Sequence, residues 1–445
     1  MKTIRKLKML LILVLLGWAS VANAENWSGV IGQRLYTGNT TVTLTGNVTL
    51  TGTIWISDGT LTINTTGNYT ITRAADFKQN MFYGNRPDNA STGGNLVING
   101  GAYRITIDGN RAQADETDGI IYFPDSSTNP FVSSITLTNV TFQNNLGNPG
   151  EQGGCIEAGR SIISCTNCYF YDLEMATSTG HIESGAAIYL ATGLSSHLSL
   201  QDCKFNNNKV STYAGGCILV TGDASITVDN CTFTNNIGQS GGAISVVGGG
   251  GCSITNSTFT NNSVLVNKQG SGGALMLAYT NNVIVSDCSF TGNKGEWGGG
   301  AIEIQSCNNY RLEDNTFTNN RANGSLNGRY AGYGGAVKSS YDSGDIINCT
   351  FTGNSAFSGG GALHVTDGVT RVTDCTITGN RSEAGGTGYT YPTGGGGIFI
   401  DIPHDITLRN TDVTGNTSYT TGGGIFKYGN LVFAELIHEI GRAHV

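Results

Sequence analysis

Residues 231–262, CTFTNNIGQSGGAISVVGGGGCSITNSTFTNN, hold one complete repeat and the opening of the next. In this stretch Phe233 is followed three places on by Asn236 and then by Gly241-Gly242-Ala243-Ile244, and the order restarts at Phe259 and Asn262. Outward in both directions the aromatic recurs at Phe142, Phe170, Phe205, Phe233, Phe259, Phe290, Phe317 and Phe351, at intervals of 28, 35, 28, 26, 31, 27 and 34 residues. Asn stands three places later at Asn145, Asn208, Asn236, Asn262, Asn293, Asn320 and Asn354, with Leu173 as the exception. Asn380 and Asn416 continue the series where Ile377 and Val413 take the Phe position. The second block also returns, as Gly153-Gly154-Cys155-Ile156, Gly215-Gly216-Cys217-Ile218, Gly272-Gly273-Ala274-Leu275, Gly299-Gly300-Ala301-Ile302, Gly334-Gly335-Ala336-Val337 and Gly360-Gly361-Ala362-Leu363.

Each repeat alternates apolar and polar residues, as in Ile226-Thr227-Val228, which is the two-residue period of a strand with one buried face. One repeat cannot bury that face alone. Stacking resolves this: successive coils pair in parallel about 4.8 Å apart, inward residues form columns, and backbone groups are satisfied between coils. The expected fold is an all-β solenoid, a single elongated domain. In it the Phe residues stack, the Asn residues form a ladder at a turn, and the paired glycines permit positive φ at a corner. These Phe and Asn residues are therefore architectural. Upstream, Val42 to Thr72 alternates in the same way, so 25–134 reads as an N-terminal cap and first coils, and 135–430 as the repeat region.

Composition agrees. Gly supplies 66 of 445 residues, about twice the usual share, while charged residues are 13%, about half of it. Poor helix formers and β-branched residues favour short strands joined by Gly and Asn turns. Lys2, Arg5, Lys6 and Lys8 precede an apolar run, Met9 to Ala22, that closes in Ala22-Asn23-Ala24, so 1–24 reads as a secretory signal peptide. Without its four cations, 20 Lys and Arg face 32 acids, a net charge of -12. That acidity argues against a nucleic-acid partner. Glu439-Ile440-Gly441-Arg442-Ala443-His444-Val445 reads as translated sequencing adapter, which makes 431–445 a truncated end.

The pairing of Phe-x-x-Asn with Gly-Gly-Ala-Ile, repeated from about Val140 to Tyr428, resembles the repeats of the chlamydial polymorphic membrane proteins. The resemblance implies a right-handed parallel β-helix, displayed in the manner of an autotransporter passenger at the bacterial outer membrane surface and acting in adhesion. It implies a host-surface protein or glycan as partner, with membrane attachment only through a C-terminal domain beyond this sequence.

The chemistry-bearing residues are few. Cys168, Cys203, Cys231, Cys288, Cys349 and Cys375 precede the Phe position by two residues, and Cys155 and Cys217 replace Ala in the glycine block, so the cysteines read as buried free thiols. Cys165 and Cys168 form one Cys-x-x-Cys without a second ligand pair, and no metal or cofactor is expected. The outward column after each glycine block reads Glu157, Tyr189, Leu219, Ser245, Met276, Glu303, Lys338, His364 and Phe399, without the paired acids that a glycosidase needs. His181, His197, His364 and His404 read as solvated, and no catalytic residue is assigned. A polysaccharide lyase or hydrolase and a purely structural surface protein are the alternatives to an adhesin. Long insertions, 320–334 and 380–394 the clearest, fall at one corner between the Asn and the Gly pair. Aromatics gather there, and Trp297, Tyr330, Tyr333, Tyr389 and Tyr391 form the candidate binding edge, unless the rings lie flat and only shield the core.

Overall fold

The computed structural model describes residues 24–84, 94–111, 117–124, 132–147, 154–175, 185–191, 195–211, 215–265, 270–324, 332–383, 393–401, 404–428 and 436–437. The signal peptide apart from Ala24, the 439–445 tail, and Tyr330, Tyr389 and Tyr391 lie outside these residues.

Among the described residues every regular element is a β-strand. One coil shows the plan. Ser225–Asp229 meets a break at Asn230-Cys231, and Thr232–Thr234 follows. The chain turns at Asn235-Asn236, runs briefly as Ile237–Gly238, rounds the glycine corner and returns as Ile244–Val247. These strands pair in parallel with Cys252–Thr255, Thr258–Thr260, Ser263–Val264 and Leu275–Ala278 of the next coil. Repetition builds sheets of 27, 14 and 10 described strands; the largest carries the strands on both sides of the break.

Inward residues of the 27- and 14-stranded sheets meet in one continuous apolar core, while Met175 and Val210 of the 10-stranded sheet form a small separate cluster with Ala186. Its spine is the Phe column. From Phe142 to Phe351 neighbouring rings are 4.6 to 5.1 Å apart between centroids and within 11° of parallel. All are fully buried, and Ile71 and Ile107 extend the register upstream as Ile377 and Val413 do downstream.

The Asn ladder satisfies a backbone need. Where the chain turns, an amide N–H cannot point along the sheet, and a buried orphan donor costs about 1–3 kcal/mol. Each Asn Oδ1 therefore accepts both the backbone N–H and the Nδ2–H of the Asn one coil earlier. Asn262 donates in this way to Asn293 at 2.9 and 3.1 Å, and Asn293 to Asn320 at 3.0 and 2.9 Å. The second Nδ2 proton goes to a Phe carbonyl, as from Asn293 to Phe259 at 2.9 Å. The run is unbroken from Asn208 to Asn416. Asn145 stands apart: Leu173 offers no side-chain oxygen, so the Asn145 Nδ2 donates to the Gly154 carbonyl instead, and its Oδ1 accepts from Thr117 and from the buried Arg73.

All eleven cysteines are buried free thiols, and burial pushes the Cys217 thiol up. They do more than fill space. Cys203, Cys231, Cys288, Cys349 and Cys375 sit at the break rather than in the strand of the following Phe. There the side chain accepts the N–H of the preceding coil, as Cys231 Sγ does from Cys203 N at 3.3 Å. Ser257, Asn315 and Thr411 perform the same task between them. The column therefore selects a small acceptor.

The glycine corner has a steric reason as well as a conformational one. Gly272 has φ +67°, and an added Cβ would lie 2.0 Å from the Leu275 carbonyl oxygen. The second glycine of a pair packs backbone to backbone, an added Cβ at Gly300 falling 1.9 Å from Gly335 O.

Phe290 is flanked by rings on both sides, so Phe290→Ala should lower unfolding stability by about 3–5 kcal/mol in denaturant titration. A loss below about 1 kcal/mol would show that the column relaxes around the gap.

Candidate functional site

The outer face of the 14-stranded sheet differs chemically from the rest of the surface. Parallel register sets Glu157, Tyr189, Leu219, Ser245, Met276, Glu303, Lys338, His364 and Phe399 in one file, as the repeat spacing predicts. The same file runs upstream through Leu35, Trp55, Tyr83 and Tyr122 and downstream to Phe426. The Trp55 and Tyr83 rings are 4.4 Å apart, and Tyr83 and Tyr122 5.0 Å. Sequence reasoning missed this aromatic end because Ile54-Trp55-Ile56 and Phe82-Tyr83-Gly84 are apolar on both faces, which hides the alternation.

Much of the file is covered. Glu303 and His364 are each 3% exposed and Phe399 is fully buried. Glu303 Oε1 meets Lys338 Nζ at 2.6 Å, whereas its buried Oε2 has no hydrogen-bond partner. Burial pushes the Glu303 carboxyl up and the Lys338 ammonium holds it back, with a net rise. Gly298 makes room for the pair, since an added Cβ would lie 2.8 Å from Oε2 and 2.4 Å from Lys338 Cδ. The expectation of a solvated His364 is overturned. Tyr333 stacks on its ring at 4.6 Å and 20°, and Phe399 lies at 5.1 Å on the next coil.

On the inner side of the same coils lies a second buried carboxyl. Asp342 accepts from Cys307 N at 2.5 Å, Ser340 N at 2.6 Å and Ser339 Oγ at 3.1 Å. Ser339 Oγ also reaches the Tyr310 hydroxyl, which shares a 2.9 Å hydrogen bond with Thr370 Oγ1. Burial pushes Asp342 up to about 6 despite the three donors, and the Glu303 charge adds to the rise.

Of the candidate binding edge, Trp297 and Tyr333 are half-buried. Tyr333 bridges Gly298 and Gly359 and lies flat over His364, so it shields rather than projects. Tyr419, from the same corner, is 69% exposed. The opposite rim, where the chain leaves this sheet, carries two further projecting rings: Tyr279 is 58% and Tyr341 62% exposed. Both have left-handed backbone, φ 55° and 59°, at a turn that Gly222 and Gly248 occupy in earlier coils and Ser306 between them. No repeat motif marks this turn, so nothing in the residue pattern singles these tyrosines out.

Among the described residues no group of three or more His, Cys, Asp or Glu is placed to hold a metal ion. The three-sheet coil defines a parallel β-helix, and residues 192–368 match the family described as right handed beta helix region, so the chain is an all-β right-handed parallel β-helix. No curated protein matches it. Among solved structures it is similar to the Azotobacter vinelandii mannuronan C-5 epimerase AlgE6 A-module, with 13% identity over 88% of this chain and 92% of that one and a TM-score of 0.30.

The Asp342 carboxyl supplies a pH test. Its folded value of about 6 exceeds the ordinary 3.8, so its contribution to stability is complete below about 3.8 and is lost as pH rises through about 6. In thermal or denaturant unfolding at pH 4 and pH 7, Asp342→Asn should flatten the decline with rising pH by up to about 3 kcal/mol. An unchanged slope would place the titration elsewhere.

Proposed function

We propose that this chain is an exported β-helix displayed at the bacterial surface, an adhesin-like passenger that binds a host-surface protein or glycan through aromatic side chains on the rims of the 14-stranded sheet. One observation carries this reading. Tyr279 and Tyr341 hold bulky side chains in left-handed backbone, a conformation that costs an L-residue about 1–2 kcal/mol, and they return little burial for it. Exposed rings kept at a strained turn suit recognition, because an aromatic face covers sugar or protein surface with little loss of side-chain freedom. Export rests on the signal-peptide pattern and adhesion on the resemblance of the repeats. Tyr333, flat over His364, is left out of the proposed edge, and Tyr279 and Tyr341 are added to it.

A second reading, a polysaccharide lyase or hydrolase, is supported by Glu303, a carboxyl raised by burial beside Lys338 and two coils from His364. Raised carboxyls suit general-acid work. Polysaccharide cleavage that vanishes in Glu303→Gln would establish it, and absence of turnover on uronate and neutral glycans would remove it.

For the binding reading, Tyr279→Gly with Tyr341→Gly should leave stability unchanged or raise it by about 1 kcal/mol per site, while weakening attachment to host cells and to an arrayed glycan panel. Full attachment by the stable double variant would overturn the role of this rim.

A further inference from the structure

The outward face of the strands that carry the Phe column is a two-dimensional array. On either side of each buried ring stands an outward residue, and parallel register aligns these in two files, from Thr232 and Thr234 through Thr376 and Thr378. Ser289 is the one replacement in that span, and Asp412 beside Thr414 ends it.

The array is flat. Strands in ordinary sheets twist by about 20–25° from one to the next, which would fan the side chains apart. The rings between the Thr files report otherwise. From Phe233 to Phe351 they are spaced 4.7 to 4.9 Å and tilted by only 2° to 7°. The Thr side chains therefore form a plane net of about 4.8 Å between coils by about 6.7 Å along the strand.

The chemistry is uniform. Each Thr presents one methyl and one hydroxyl on a branched, χ1-stiff side chain. Several, such as Thr258, Thr316 and Thr352, are exposed, and no array hydroxyl hydrogen-bonds to a described protein group. By contrast Thr255 and Thr411, off the array, do bond to protein. Strand propensity alone does not account for this. The other half of the same sheet is equally strand-like, yet its outward file in these coils includes Ile284, Arg311, Asp345 and Arg371.

A rigid, uncharged, periodic net of hydroxyls and methyls complements a surface that is itself periodic and donates and accepts hydrogen bonds equally. An ionic mineral would select charge, and a polysaccharide chain would select aromatic platforms. The oxygen repeats on the prism faces of ice lie close to both spacings of the net. We propose that this Thr-x-Thr face binds ice, the hydroxyls anchoring lattice waters and the methyls ordering the waters between them.

The test uses the folded chain in ice-recrystallisation and thermal-hysteresis assays, with incorporation into a growing ice hemisphere as the binding readout. Concentration-dependent inhibition and incorporation are expected. Thr318→Tyr and Thr352→Lys, in the middle of the net, should abolish both while circular dichroism and melting remain those of the parent. Arg371→Ala, on the neighbouring half of the sheet, should change neither. Ice growth no different from that with serum albumin, or full activity in folded Thr318→Tyr, overturns the proposal. Capture by crystalline cellulose or chitin without any effect on ice also overturns it, in favour of a crystalline glycan. Because Tyr279 and Tyr341 lie on another rim, these outcomes are independent of the adhesin reading.

Discussion

Backbone pairing between coils is the constraint from which the other features follow. A chain that closes a coil must bend, and at each bend some N–H groups rotate out of the ladder into an apolar interior. Two side-chain columns answer this, Asn208 to Asn416 at one turn and the Cys, Ser, Asn and Thr column at the break. Both use acceptors short enough to reach one rung and no further. The Phe column fills the space these bends enclose, and the glycine corner lets backbone approach backbone where no side chain fits.

This division explains what was legible. Phe, Asn and the glycine pairs recur because each meets the same local demand in every coil, so spacing alone reveals them. The cysteine column was half legible: burial followed from position, but its acceptor role shows only when Cys231 is seen beside Ser257 and Asn315. His364 was misread because an outward position normally means solvent, and here Tyr333 from the corner covers it. Tyr279 and Tyr341 escaped notice because their peculiarity is backbone conformation, at a turn that glycines occupy only in earlier coils, which no side-chain pattern records.

The faces divide the possible work. The 14-stranded sheet carries the aromatic and charged file and is bordered by the exposed rings, whereas the Phe-bearing strands from Thr232 to Thr378 turn an even polar net outward. A solenoid permits this because its faces are chemically independent: each outward column is one position per coil, and changing it leaves the core columns untouched. Glu303 and Asp342 are the exception. Asp342 is buried in the turn that follows the strand paired with that of Glu303, and the charge of Glu303 raises it, so outer and inner chemistry are electrically coupled there.

The Asn ladder has one more consequence. Every amide points the same way, oxygen toward the preceding coil and nitrogen toward the next, so any rung fits any other provided whole coils are exchanged. Deleting or duplicating the span between two equivalent asparagines, such as Asn262 and Asn293, regenerates the same junction, while a partial span destroys it. Gene duplication and unequal recombination therefore have an inexpensive step size in this architecture, one coil. Length can drift in a lineage while the cross-section stays under strict selection.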